Sequence, residues 1–82
     1  MLEKRAFPID SIRVPVKRKK TLDPAKAAAL AESILEEGQK TPISVRADGD
    51  GFVLVEGLHR LEACRALGET EIVGTVVRAK LR

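Results

Sequence analysis

The distribution of apolar and polar residues along the chain predicts four strands. Pro15 places the first strand at a sheet edge or ends it, because proline cannot donate to a strand ladder. The second and third strands are separated by residues 47–51, whose Asp and Gly residues predict a hairpin turn. The four stretches with strand patterns are residues 10–16, 42–46, 52–56 and 71–78.

The clearest helix start lies at Asp23, which suits an N-cap, followed by Pro24, which suits the first helical position. An Ala-rich stretch of high helix propensity follows, and Gly38 is a natural C-terminal stop. We therefore predict a helix over residues 24–37. Its expected core face consists of Leu30, Ala31, Ile34 and Leu35.

A second helix is predicted over residues 59–67, ended by Gly68, with Leu61, Cys64 and Leu67 on one side. The resulting order is β-α-β-β-α-β. This order predicts one compact α+β domain over residues 1–82, with a mixed or antiparallel sheet. A basic loop, residues 17–20, is expected between the first strand and the first helix.

Composition narrows the function classes. The chain has 82 residues, a net charge of +3, one His and one Cys. Its core must be mainly aliphatic, because the chain has two Phe and no Trp or Tyr. One His and one Cys cannot supply the usual ligands of a zinc site, and one Cys cannot form an internal disulfide. The apolar runs are far shorter than the ~20 residues of a membrane span, and no signal peptide is evident. These features predict a cytoplasmic protein without a membrane partner.

The segment from Glu56 to Arg60 has the features of an anion site. A strand ends, Gly57 permits a close backbone approach, and a helix begins whose first N–H groups are free and carry partial positive charge. His59 and Arg60 add cationic or potentially cationic side chains to the first turn. The alternative is that Gly57 only forms a tight turn and Arg60 is solvated, and spacing alone does not separate the two interpretations.

A family resemblance favours the anion site. Residues 55–63 read Val-Glu-Gly-Leu-His-Arg-Leu-Glu-Ala and follow Thr-Pro-Ile-Ser-Val at residues 41–45. This pattern resembles the signature of the ParB/sulfiredoxin superfamily, in which a strand, a Gly-x-[His/Arg]-Arg turn and a helix follow one another. Residues 22–26, Leu-Asp-Pro-Ala-Lys, also resemble the segment that opens the first helix of sulfiredoxins. The resemblance covers about residues 8–78 and implies the ParB/sulfiredoxin-like α+β fold.

The resemblance implies a nucleotide, ATP in sulfiredoxins or CTP in ParB proteins, together with Mg²⁺. Lys26 matches a nucleotide-contacting lysine of the first helix, and Ser33 matches a nucleotide-contacting hydroxyl position. A second such position is Ala29 here, which implies a different adenosine pocket. Glu56 is interpreted either as a water-mediated Mg²⁺ contact or as a solvated carboxylate. The implied phosphate-binding residues are Gly57, Leu58, His59, Arg60, Lys26 and Ser33.

Leu58 departs from both branches of the superfamily. It occupies the position of the catalytic cysteine of sulfiredoxins and of a glutamate in the ParB turn, so it supplies neither a thiol nor a carboxylate. Sulfinic acid reduction by the usual mechanism is therefore not expected. Slow nucleotide hydrolysis stays open, with His59 as the candidate acid or base. Cys64 is expected to be a buried structural residue, and a redox enzyme using it as a displaced cysteine is the remaining alternative.

The basic run Lys17, Arg18, Lys19 and Lys20 supports a second hypothesis. It is either a solvated loop or a contact to the DNA backbone, since superfamily members include DNA-binding proteins and nucleases. A protein partner is a further hypothesis. ParB proteins also have a helix-turn-helix region and a dimerisation domain, and we do not expect either within these residues.

Overall fold

The computed structural model describes residues 3–78, which form five strands and three helices. A single 3₁₀ turn, Ile9–Ser11, joins the first two strands. In chain order the elements are β1 (Arg5–Pro8), β2 (Ile12–Arg13), α1 (Val16–Lys19), α2 (Pro24–Glu37), β3 (Ile43–Asp48), β4 (Gly51–Glu56), α3 (Leu58–Ala66) and β5 (Glu71–Val76). None of the helices within residues 3–78 is long and apolar enough to cross a membrane.

The strands form one mixed sheet in the order β1-β5-β3-β4-β2. The predicted hairpin is confirmed as the antiparallel pair β3–β4, and β1 runs antiparallel to β5. The pairs β3–β5 and β2–β4 are parallel. The predicted α+β class with a mixed sheet is therefore confirmed, and β1 and β2 are the two edges.

The core lies between one face of this sheet and helices α2 and α3, which pack against each other. The central strand β3 contributes Ile43 and Val45, both with no exposed surface, and α3 contributes Leu61, also fully buried. The exposed side of α2 includes Leu35, whose exposed fraction is 75%. The expectation that Leu35 faces the core was wrong, because α2 packs through Ile34 and the two residues point in different directions around the helix.

The start of the chain differs from the predicted strand over residues 10–16. Ile9 and Ile12 are both buried three residues apart, a spacing that fits the 3₁₀ turn between β1 and β2 rather than strand alternation. The Ser11 hydroxyl donates to the Pro8 carbonyl at 2.7 Å and stabilises this turn. The predicted strand is therefore reduced to β2, and the unpredicted strand β1 precedes it at the opposite edge of the sheet.

The basic stretch forms a helical turn and not the predicted loop. The backbone N–H groups of Arg18 and Lys19 both donate to the Pro15 carbonyl, at 2.9 and 3.1 Å. Helix α1 therefore begins directly after Pro15, and its side chains leave the helix in different directions. By contrast, the predicted bounds of α2 are confirmed, and Asp23 caps it by accepting from the Ala25 N–H at 3.0 Å.

Candidate phosphate-binding cleft

The chain passes from strand β4 to helix α3 through a single residue, Gly57. Its backbone is in the left-handed region, with φ 107° and ψ 31°. An added Cβ would lie 2.6 Å from Cγ2 of Ile43, a fully buried residue of the neighbouring strand. Both the positive φ and the absence of a side chain are therefore required at this position. The turn is tight enough that α3 begins at the next residue.

The first turn of α3 presents free hydrogen-bond donors. Its first intrahelical bond runs from the Leu61 N–H to the Gly57 carbonyl at 2.8 Å, and no side chain of the described residues caps the helix. The N–H groups of Leu58, His59 and Arg60 therefore have no acceptor within the helix. These donors and the positive end of the helix dipole favour an anion.

An open cleft of about 310 Å³ lies over this turn. The predicted residues Gly57, Leu58, His59 and Arg60 all line it, together with Arg18, Thr21 and Leu30. The guanidinium group of Arg18 donates to the Val55 carbonyl at the end of β4, which holds this side chain against the turn. The structure thus places two arginines, from α1 and from α3, beside the same set of backbone donors.

His59 connects the two long helices. Its Nε2 accepts a hydrogen bond from the backbone N–H of Asp23, the N-cap of α2, at 3.0 Å. An accepting Nε2 carries no proton, so the proton of the neutral ring is on Nδ1. His59 therefore lines the cleft while also fixing the start of α2 against the first turn of α3.

A second, smaller depression of about 200 Å³ adjoins the cleft. Leu30 and Arg60 line both, and Ser33 lines only the smaller one, near Lys40 and Thr41. Arg60 therefore stands between the two depressions. Ser33 thus lines the depression beside the turn and not the cleft over it.

Other predicted residues lie outside both depressions. Lys26 is exposed on α2 and is not among the residues that line either depression. Glu56 is exposed at the end of β4, and residues 3–78 contain no group of three His, Cys, Asp or Glu residues that could hold a metal ion. Within the basic run Lys17, Lys19 and Lys20 are exposed, whereas Arg18 is half-buried and donates to the Val55 carbonyl.

The side chain of Leu58 is 6% exposed and belongs to the core, so only its N–H group is available to a ligand in the cleft. Cys64 is also buried, as predicted, with 3% of its surface exposed. Burial raises the pKa of its thiol, the negative charge of Glu69 raises it further, and Arg60 opposes the increase. The thiol is therefore protonated at neutral pH, which does not favour a redox role.

Sequence reasoning missed Arg18, Thr21 and Leu30 as residues of the cleft. The sequence groups Arg18 with its basic neighbours, whereas the helical turn after Pro15 sends consecutive side chains in different directions. Leu30 had been assigned to the core face of α2 only. Thr21 follows Arg18 into the cleft, because its N–H and its hydroxyl both donate to the Arg18 carbonyl, at 3.0 and 2.7 Å.

Comparison with known proteins shows the family of the chain. The family model described as the ParB N-terminal domain matches residues 3–82. The chain belongs to this family. The chromosome-partitioning protein ParB of Myxococcus xanthus is 39% identical over 71 residues, which cover 85% of this chain and 24% of that protein. The chain thus spans about a quarter of the length of this relative.

Solved structures show the same fold. Sulfiredoxin from Arabidopsis thaliana is 28% identical with a TM-score of 0.83, over 94% of this chain and 86% of that one. C-terminally truncated ParB from Caulobacter crescentus, complexed with CTP-gamma-S, is 25% identical with a TM-score of 0.77, over 98% of this chain and 46% of that one. A second structure of that protein, complexed to the centromeric parS site, gives a TM-score of 0.76 at 25% identity, over 93% of this chain and 40% of that one.

Proposed function

We propose that this ParB N-terminal domain binds the phosphates of a nucleoside triphosphate over the first turn of α3. The observation that carries the proposal is the arrangement of three free N–H groups beside Arg18 and Arg60. A triphosphate needs several donors and a positive field, and the cleft offers both. The Caulobacter crescentus relative that binds CTP-gamma-S supports CTP as the first ligand to test, and the resemblance to sulfiredoxin supports ATP as the second.

The two depressions suggest how the nucleotide is oriented. The phosphates would lie over Gly57 and the N–H groups of α3, where an added Cβ at residue 57 would disrupt the turn. Arg60 would bind them from the boundary between the depressions. The sugar or base would then lie in the smaller depression, where the hydroxyl groups of Ser33 and Thr41 offer polar contacts.

We propose binding rather than hydrolysis as the main activity. Leu58 supplies neither a nucleophile nor a carboxylate, and Nε2 of His59 is already bonded to the Asp23 N–H. Mg²⁺ would be held mainly by phosphate oxygens and water, as this ion prefers, with Glu56 as a contact through water. Lys26 would reach the nucleotide only by extending from the exposed first turn of α2.

DNA contact by the basic run receives less support. Arg18 is directed to the Val55 carbonyl and the cleft, which leaves Lys17, Lys19 and Lys20 as exposed charges on a single helical turn. The parS complex belongs to the relative, of which this chain matches only part. The nucleotide hypothesis, by contrast, gives a role to each of Arg18, Gly57 and Arg60, which line the same cleft.

Isothermal titration calorimetry tests the proposal. CTP, ATP and CMP are titrated separately into the protein in the presence of Mg²⁺. Because the proposed site recognises phosphates, CTP or ATP should bind at least about 10-fold more tightly than CMP, which corresponds to about one charge-assisted hydrogen bond. Affinity should also fall as salt is added. Equal affinities for CTP and CMP, or no heat with either triphosphate, would contradict the proposal.

A further inference from the structure

A second cleft, of about 440 Å³, lies on the other side of Leu58. Its apolar lining includes Val14, Leu22 and Leu58. Leu58 therefore lines both this cleft and the phosphate-binding cleft. A volume of this size is in the range of ligand-binding cavities, which are usually apolar with a few charged groups.

One wall of this second cleft is a free sheet edge. Ile12, Arg13 and the following Val14 all line it, and the first two form strand β2. Within the described sheet β2 pairs only with β4, because it stands last in the strand order. The outer backbone groups of such a strand are a template for an added extended chain. The cleft thus combines an apolar lining with a backbone edge.

The rim of the second cleft is basic. Arg13, Lys19 and Arg65 surround it, against one carboxylate, that of Glu62. Arg13 contacts Asp48 at 2.8 Å and Arg65 contacts Glu62 at 3.6 Å, and all four side chains retain substantial exposure. Lys19 forms no ion pair with any residue in the described part of the chain. Exposed ion pairs are weak, so both arginines are free to change partners.

We propose that this second cleft binds an extended, acidic and apolar segment of a partner protein. The segment would run along the edge of β2, place an apolar side chain on the half-buried Leu22, and direct carboxylates toward Lys19 and Arg65. The charge of the rim selects the acidic residues, and the apolar lining selects the apolar one. This proposal does not depend on nucleotide binding, since the two clefts share only Leu58.

The test uses an isotope-labelled protein titrated by NMR with a short synthetic peptide that alternates Val with Asp and Glu. We expect the largest amide shifts at Ile12, Arg13 and Val14. Lys19→Glu should weaken binding about 5-fold or more, since it turns an attraction into a repulsion. The matched control is Lys20→Glu, which makes the same charge change at a neighbouring exposed residue outside the cleft and should weaken binding less than about 2-fold.

Three outcomes would overturn the proposal. The first is the absence of shifts at β2 with the acidic peptide at millimolar concentration. The second is equal binding of a peptide with Lys in place of Asp and Glu. The third is equal weakening by Lys19→Glu and Lys20→Glu together with displacement of the peptide by duplex DNA, which would make the surface a DNA contact. Lys19→Ala is a second test in case the Lys19→Glu variant does not fold, and it should bind the peptide more weakly than wild type.

Discussion

Replacing Gly57 with alanine is expected to lower the free energy of unfolding by about 3 kcal/mol. About 1–2 kcal/mol comes from forcing a residue with a Cβ into the left-handed region at φ 107°. The rest comes from overpacking, which typically costs about 1–3 kcal/mol. The new Cβ would lie 2.6 Å from Cγ2 and 3.3 Å from Cα of Ile43, and a backbone atom of the central strand cannot move aside easily.

Urea denaturation of wild type and Gly57→Ala measures this loss. Gly49→Ala is the matched control, because Gly49 also has a positive φ, 61°, but an added Cβ there meets no atom within 4 Å. The control should show only the conformational cost of about 1–2 kcal/mol. If the two variants lost equal stability, close packing of the turn against Ile43 would not be a constraint on this site.

Replacing Arg60 with alanine is expected to weaken CTP binding by about 10- to 100-fold. Hydrogen bonds to charged groups contribute about 1.5–3 kcal/mol each, and Arg60 stands where the two depressions meet. Arg60→Lys should fall between wild type and alanine, because lysine keeps the charge but not the planar fork that binds two phosphate oxygens. Calorimetry with CTP and Mg²⁺ measures all three proteins.

Arg46→Ala is the matched control for Arg60→Ala. Arg46 is an exposed arginine of β3 that lines neither depression, so its removal changes the net charge equally. We expect CTP affinity to change less than about 2-fold in this variant. If both variants weakened binding to the same extent, the affinity for CTP would depend on the net charge of the protein and not on contacts in the cleft.

Local sequence signals predicted the elements that have local causes. The bounds of helix α2 could be predicted because Asp23 and Pro24 start the helix and Gly38 ends it through local backbone preferences. The β3–β4 hairpin could be predicted because its turn lies within the chain segment that it joins. The Gly57 turn could be proposed as an anion site because a strand end, a glycine and a helix start follow one another.

Features that depend on distant partners could not be predicted. Strand β1 exists because it pairs with β5, more than sixty residues later in the chain. Arg18 belongs to the phosphate-binding cleft because its guanidinium reaches the Val55 carbonyl. The hydrogen bond from the Asp23 N–H to His59 likewise links two helix starts that are far apart in sequence. In each case the contact joins segments that are distant in sequence, so tertiary packing determines the outcome.

The structure also separates two roles within one residue. In the sequence, Leu58 stands where the family resemblance implies a cysteine or a glutamate, so the turn has neither a thiol nor a carboxylate there. In the folded chain its side chain completes the core while its N–H group remains available to the phosphate-binding cleft. The turn thereby keeps its backbone donors but has neither a thiol nor a carboxylate at residue 58, which is why binding is the proposed activity.

The central claim is that phosphates bind to the free N–H groups at the start of α3. An NMR titration of isotope-labelled protein with CTP and Mg²⁺ observes these groups directly. We predict that the largest amide shifts occur at Gly57, Leu58, His59 and Arg60, and that CMP shifts them much less. Shifts concentrated elsewhere on the protein, with these four amides unchanged at saturating CTP, would contradict the claim.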